Sequence, residues 1–223
     1  MTSASEMRAL LRLLSWLSPA FPVGGFAYSG GLERAVHDGQ VRDAAGLQVW
    51  IGALMAHGTI RTDGVLLAEA FRQVDDEAGL ADVAALASAL AGSSERHQET
   101  TLLGEAFVTA SRAWPHPLFE RLPRACAYPV AVGAVAAVHA VPLENALTAF
   151  LHAAVSQLVS AGIRLSVSGQ RDGVAILAGL EEIIADSAAS IKNSTLDDLG
   201  SSTILADIAS LRHETQPSRI FRS

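Results

Sequence analysis

The 223-residue sequence contains a single cysteine, Cys126. That excludes an internal disulfide framework and any local cysteine-based zinc motif, and it fits a reducing compartment. Charge is scarce too: charged residues make up 17% of the chain, against 50% apolar, so wholesale disorder is excluded. The net charge of −7 argues against general nucleic-acid binding, which needs clustered Lys and Arg. Long apolar runs are also missing. Arg8 and Arg12 interrupt the first, and what remains, residues 13–17, is too short for a signal-peptide core. The most apolar later stretch, residues 125–141, carries Pro129 and His139 and lies at the bottom of the spanning range, so it reads as a buried helix. The expected setting is cytoplasmic, with no membrane and no nucleic acid as partner.

What is abundant is Ala and Leu, 40 and 28 residues against 17 Val and 10 Ile. These lead the helix-propensity scale, and no strand-like alternation appears. The expectation is an all-α, single-domain bundle of about nine or ten helices over residues 1–223. Leu10, Leu13, Leu14 and Leu17 predict a first helix over 7–17, with Leu11 and Trp16 off its stripe. Further helices are predicted at 32–37, 43–57 with Asp43 as N-cap, 62–77 closed by Gly79, and 81–91. Then come 95–114 with a Ser93 or Ser94 cap, 125–140, 143–163, 174–189 and 203–213. Residues 1–6 read as a frayed start, 186–203 as a mobile connector and 214–223 as a docking tail.

Chemistry is sparse. The seven histidines are not paired at i+3 or i+4, so no tight internal metal site is expected. Gly24 and Gly30 have P-loop spacing, but Gly31 and Leu32 stand where Lys and Ser/Thr belong. No G-x-S-x-G elbow occurs, and Ser29 is not read as a nucleophile. Glu95, Arg96 and Glu99 read as a solvated helix face, or else as a holder for a partner loop.

Two segments stand apart. Residues 18–31 hold two prolines, four glycines and three aromatics, which marks a structured loop. The last twelve residues carry +2, and the preceding 211 carry −9. Ordering each tail residue costs about 1–2 kcal/mol of backbone entropy, and burying Phe221 returns about 1.5–3 kcal/mol. The tail therefore orders only if several side chains dock together, with arginine forks on carboxylates.

Leu17-Ser18-Pro19-Ala20-Phe21-Pro22-Val23-Gly24-Gly25-Phe26-Ala27-Tyr28-Ser29-Gly30-Gly31-Leu32-Glu33 resembles the N-terminal signature of the urease accessory protein F (UreF) family. Arg212-His213-Glu214-Thr215-Gln216-Pro217-Ser218-Arg219-Ile220-Phe221-Arg222-Ser223 is similar to that family's ending, with Ile220 in place of Leu. Asp63, Glu95-Arg96, Tyr128-Pro129 with Gly133, and Gly169-Gln170 fall in the family's order between them. Two positions depart: Val167-Ser168 stands where the family has a proline-bearing turn before Gly-Gln, and Pro217 replaces a commonly aromatic residue.

The resemblance implies an all-helical homodimer. It would bind urease accessory proteins D (H in some systems) and G, dock on apo-urease and support nickel insertion, without enzymatic activity, cofactor or resident metal. Tyr28, Ser29, Glu33, Gly169, Gln170, Arg219, Ile220, Phe221 and Arg222 are the partner-binding residues carried over. Ile220 and Phe221 are expected as apolar anchors and Arg219 and Arg222 as carboxylate partners on protein D, or the tail folds back to order the Tyr28 loop. The alternatives are a regulator of the protein G GTPase, for which Arg34, Arg96 or Arg164 would supply a phosphate-site charge, and a nickel-binding metallochaperone.

Overall fold

A computed structural model describes residues 4–223. The helices are α1 (Ala4–Trp16), α2 (Leu32–His37), α3 (Ala44–His57), α4 (Thr59–Arg72), α5 (Glu77–Ala89), α6 (Ser94–Ser111), α7 (Tyr128–Val138), α8 (Leu143–Arg164), α9 (Gln170–Gly179), α10 (Glu181–Ile191) and α11 (Ile204–His213). Short 3-10 turns occupy Gly25–Ala27, Pro117–Glu120 and Leu196–Asp198. No strand occurs among the described residues, so the chain is all-α as expected.

One continuous apolar core runs from Ala9 to Phe221. Helix α7 lies in its middle, buried at every residue from Pro129 to Ala136. A helix this apolar on all sides belongs inside, and α4 and α6 flank it. The approach of α4 depends on Gly133, where an added Cβ would lie 2.2 Å from the Leu67 carbonyl oxygen. Cys126, just before α7, is fully buried, and burial pushes its thiol up to about 12. Helix α8 is long and apolar enough to cross a membrane, but half of that window is buried. It packs on α3, α4, α7, α9 and α10, the position of a core helix.

Local signals account for several boundaries. The Asp43 carboxylate accepts from Gly46 N–H at 2.8 Å and starts α3, and Ser93 accepts from Arg96 N–H at 3.1 Å and starts α6. Other expectations are corrected. Gly79 does not end a helix; it sits in the first turn of α5, whose N-cap is Asp76, and the break lies at Gln73–Asp76. The helix expected from residue 62 begins at Thr59, which puts Asp63 in the second turn of α4. Residues 174–189 form parts of two helices, separated at Leu180. Residues 186–191 of the expected connector belong to α10, and the remainder is fastened: Arg72 donates to the carbonyls of Lys192 and Ser194, and Ser202 N–H to that of His57. Of the expected frayed start, residues 4–6 are helical and 1–3 lie outside the described residues.

The face of α1 is also rotated from the expected one. Ala9, Leu13 and Trp16 are buried, whereas Met7, Leu10, Leu11 and Leu14 are exposed. Trp16 decides the rotation, because its ring packs edge-on against Phe107 and Trp114. Leu10 and Leu14 of the expected stripe are turned out in favour of one indole with a ready aromatic socket.

Two substitutions test this packing. Gly133→Ala should lower unfolding free energy by about 2–3 kcal/mol, because the opposing atom is a helix carbonyl that cannot rotate away. Ala140, exposed after α7 with φ of 55°, should act oppositely. Ala140→Gly removes a left-handed strain of about 1 kcal/mol and should raise the denaturant midpoint.

Candidate functional site

The loop over residues 18–31 and the tail over residues 214–223 meet and fasten each other. Left-handed glycines shape the loop: Gly24 (φ 80°) precedes the 3-10 turn, and Gly30 and Gly31 (φ 58° and 82°) lead into α2. At Gly31 an added Cβ would stand 2.8 Å from the Ser210 backbone nitrogen, so this glycine also lets α11 lie against the loop. Phe21 packs on Phe107 and Trp114, and Gln157 donates to the Tyr28 carbonyl.

The tail then runs beside the loop. Arg222 N–H donates to the Ala27 carbonyl at 2.8 Å, and Ser29 N–H to a Ser223 carbonyl-type oxygen at 2.9 Å. The Ser29 hydroxyl donates to the same oxygen. Gly30 N–H reaches the Ser223 hydroxyl, which itself donates to Glu99 at 2.9 Å. Side chains alternate as an extended segment requires. Phe221 and Ser223 face inward, and Ile220 and Arg222 face solvent.

Glu33 is the central acceptor. It takes the Ile220 N–H at 2.7 Å, the Phe221 N–H at 2.9 Å and a ring nitrogen of His213 at 3.1 Å. Burial alone pushes its carboxyl up, but these bonds outweigh burial and hold it below the ordinary 4.5. His213 is fully buried, and its other ring nitrogen lies 2.7 Å from Glu95, which also accepts from Arg219. Behind them, Arg96 is paired with Asp63 and, at 3.2 Å, with Glu99. Burial pushes the carboxyls of both Asp63 and Glu99 up, and the Arg96 charge opposes it. These three residues line a cavity of about 130 Å³ between α4, α6, α8 and α11. Arg164, in the last turn of α8, donates to the Phe26 carbonyl and stacks 4.1 Å from the Phe221 ring centroid.

Of the residues expected to meet a partner, Tyr28, Ser29, Glu33 and Phe221 are brought together but buried, each at 5% exposure or less. Within this chain the Phe221 ring is an internal anchor under Arg164, the arrangement of the expected alternative in which the tail folds back onto the Tyr28 loop. Arg219 likewise has its carboxylate partner within the chain, Glu95. Ile220 and Arg222 stay exposed, as does Phe26 of the loop, at 76%. Gly169 and Gln170 are not part of the cluster. They begin α9, with the Asp172 carboxylate accepting from Gly169 N–H. The turn before them closes without proline: Val167 N–H reaches the Gly162 carbonyl, with Ser166 left-handed at φ 63°.

Arg34 is paired with Asp38, Arg96 with Asp63 and Glu99, and Arg164 with Phe26 and Phe221. None of the three expected candidates for a phosphate-site charge is therefore uncommitted. The Glu95–Glu99 face, read as solvated, is corrected as well, since Glu99 is buried and both residues hold the chain's own tail. Sequence reasoning missed His213 and Ser223. The missed signal was a histidine placed at the start of a cationic tail, in a chain with unpaired acids on α6.

Nearly every buried ionisable group near this site is engaged in fastening one part of the chain to another. That defines an all-helical protein whose conspicuous device is an ordered surface. A family model described as UreF matches residues 41–181. The chain is 66% identical over 223 residues to the urease accessory protein UreF of Rhizobium etli, with 100% of both chains covered. It is 60% identical over the same length to that of Agrobacterium fabrum, again with 100% of both covered. Against the urease accessory protein UreF 1 of Brucella canis it is 57% identical over 215 residues, 96% of this chain and 94% of the relative. The chain belongs to the UreF family of urease accessory proteins. The family model covers the helical core, whereas the loop and tail lie outside it and are matched only in the full-length comparisons.

Glu33→Ala leaves two tail amides and His213 without their acceptor. It should weaken tail docking by about 2–3 kcal/mol, the scale of hydrogen bonds to a charged group. Because the folded carboxyl is lowered, its contribution is complete above the ordinary 4.5 and disappears as pH falls through the lowered value. Protection of the Ile220 and Phe221 amides against hydrogen exchange should fall in both cases, with the α7 amides unaffected.

Proposed function

We propose that this protein is a non-enzymatic scaffold of urease maturation. With accessory proteins D (H) and G it assembles on apo-urease and supports delivery of nickel, the cargo, to the urease active site. The observation that carries the reading is the seating of the tail against the loop, which leaves Phe26 on the one and Ile220 and Arg222 on the other exposed to solvent. Aromatic and arginine side chains are enriched at protein interfaces over the rest of the surface. The family to which the chain belongs supports urease as the object of that role.

In this reading the nine residues carried over from the signatures divide into three groups. Ile220 and Arg222 meet a partner directly. Tyr28, Ser29, Glu33, Arg219 and Phe221 act as positioning residues, and Gly169 and Gln170 supply a separate contact beyond Arg164. The exposed leucines of α1, Leu10, Leu11 and Leu14, offer a second apolar face for a partner or for the other copy of a cytoplasmic homodimer. The protein binds no cofactor of its own.

A co-expression pull-down with proteins D and G tests the proposal. The wild-type chain should capture both. Arg222→Glu combined with Phe26→Ala should reduce capture of at least one partner about tenfold or more, with the melting temperature unchanged because both side chains are exposed. Failure of the wild-type chain to capture either partner overturns the scaffold reading.

A further inference from the structure

We infer that His213 is a proton-controlled latch: its ring seats the tail only as an imidazolium, and loss of one proton releases residues 219–223. The argument is geometric. A neutral imidazole has one N–H and one lone pair. Here the two ring nitrogens face two different carboxylates, Glu33 on α2 at 3.1 Å and Glu95 on α6 at 2.7 Å. Only the doubly protonated ring donates to both. The neutral ring turns a lone pair toward a carboxylate oxygen at hydrogen-bond distance, inside a site from which solvent is excluded.

Both oxygens of Glu33 already accept tail amides, Oε1 from Ile220 and Oε2 from Phe221. Glu95 accepts from Arg219 at Oε1 and faces the ring with Oε2, so the proton that the site requires lies between that oxygen and Nδ1. The charges around the ring are therefore Glu33 from α2, Glu95 from α6 and Arg219 from the tail. On its own helix Arg212 is turned to Asp38, 3.6 Å away, and the neighbouring Glu214 binds Ser94 N–H. With His213 protonated, two negative and two positive charges balance. Without that proton, one buried negative charge is uncompensated, and undocking relieves it by freeing both carboxylates to water.

The same two carboxylates hold Arg219, Ile220 and Phe221, so the state of the ring decides the seating of the segment that carries Ile220 and Arg222. Uptake of one proton on docking makes the docked-to-free ratio fall about tenfold per pH unit once the ring titrates. The consequence for partner capture rests on the scaffold reading above. Release of the tail does not, and it is measured on the isolated chain.

The experiment is nuclear magnetic resonance of the full-length protein, following the Ile220 and Phe221 amides and the His213 ring as pH is raised. The amides should leave their docked positions with the same midpoint as the ring, while helicity by circular dichroism stays constant. In Glu95→Gln the side-chain oxygen still accepts from Arg219 and its NH₂ donates to the neutral ring, so the release on deprotonation should vanish or move by more than one pH unit. Three results would overturn the latch: amides that stay docked through the ring's titration, an E95Q variant that titrates like the wild type, or loss of the whole fold over that range. If the latch stands and pull-downs with D and G are pH-independent, the scaffold surface lies elsewhere and the latch is unaffected.

Discussion

A buried histidine between two carboxylates from different helices is the contact on which the surface of this protein depends. His213 ends α11, Glu33 begins α2 and Glu95 begins α6, so one ring joins three helix ends. Carboxylates at helix N-termini already lie in favourable fields, which helps keep them ionised in a largely apolar setting. The tail then adds its own N–H groups and one guanidinium to the same oxygens. A chain end with a single buried aromatic ring would not repay its ordering entropy alone. Here the charged acceptors are placed by the helices beforehand, and the tail has only to reach them.

Much of the fold was legible. The Ala and Leu excess, the caps at Asp43 and Ser93, and the prolines and glycines between helices give the all-α class and most boundaries. What was not legible were the choices between equally apolar faces. The leucines of α1 outnumber its one tryptophan, yet the indole goes inside because Phe107 and Trp114, about ninety residues later, form its socket. No local pattern contains that information. The same holds for the division at Leu180, where an apolar, Ala-rich stretch gives no composition signal for a helix end.

The site was legible as two unusual segments, and the balance of ordering cost against docking contacts was right about how such a tail orders. Its acceptors were the illegible part. Glu33 lies 187 residues from Ile220, and Glu95 lies 124 residues from Arg219. Helical spacing made Glu95 and Glu99 look like an ordinary wet face. Tertiary placement of α11 across that face turned them into the tail's receptor, with Phe221 turned inward.

Arg164 carries a mechanical consequence. It sits in the last turn of the 22-residue α8, and its one guanidinium touches both the Phe26 carbonyl in the loop and the Phe221 ring in the tail. A helix holds its terminal residues on one stiff rod, about 1.5 Å of rise per residue. The longest helix thus carries loop and tail on a single side chain, so that the two segments share one point of attachment at its end.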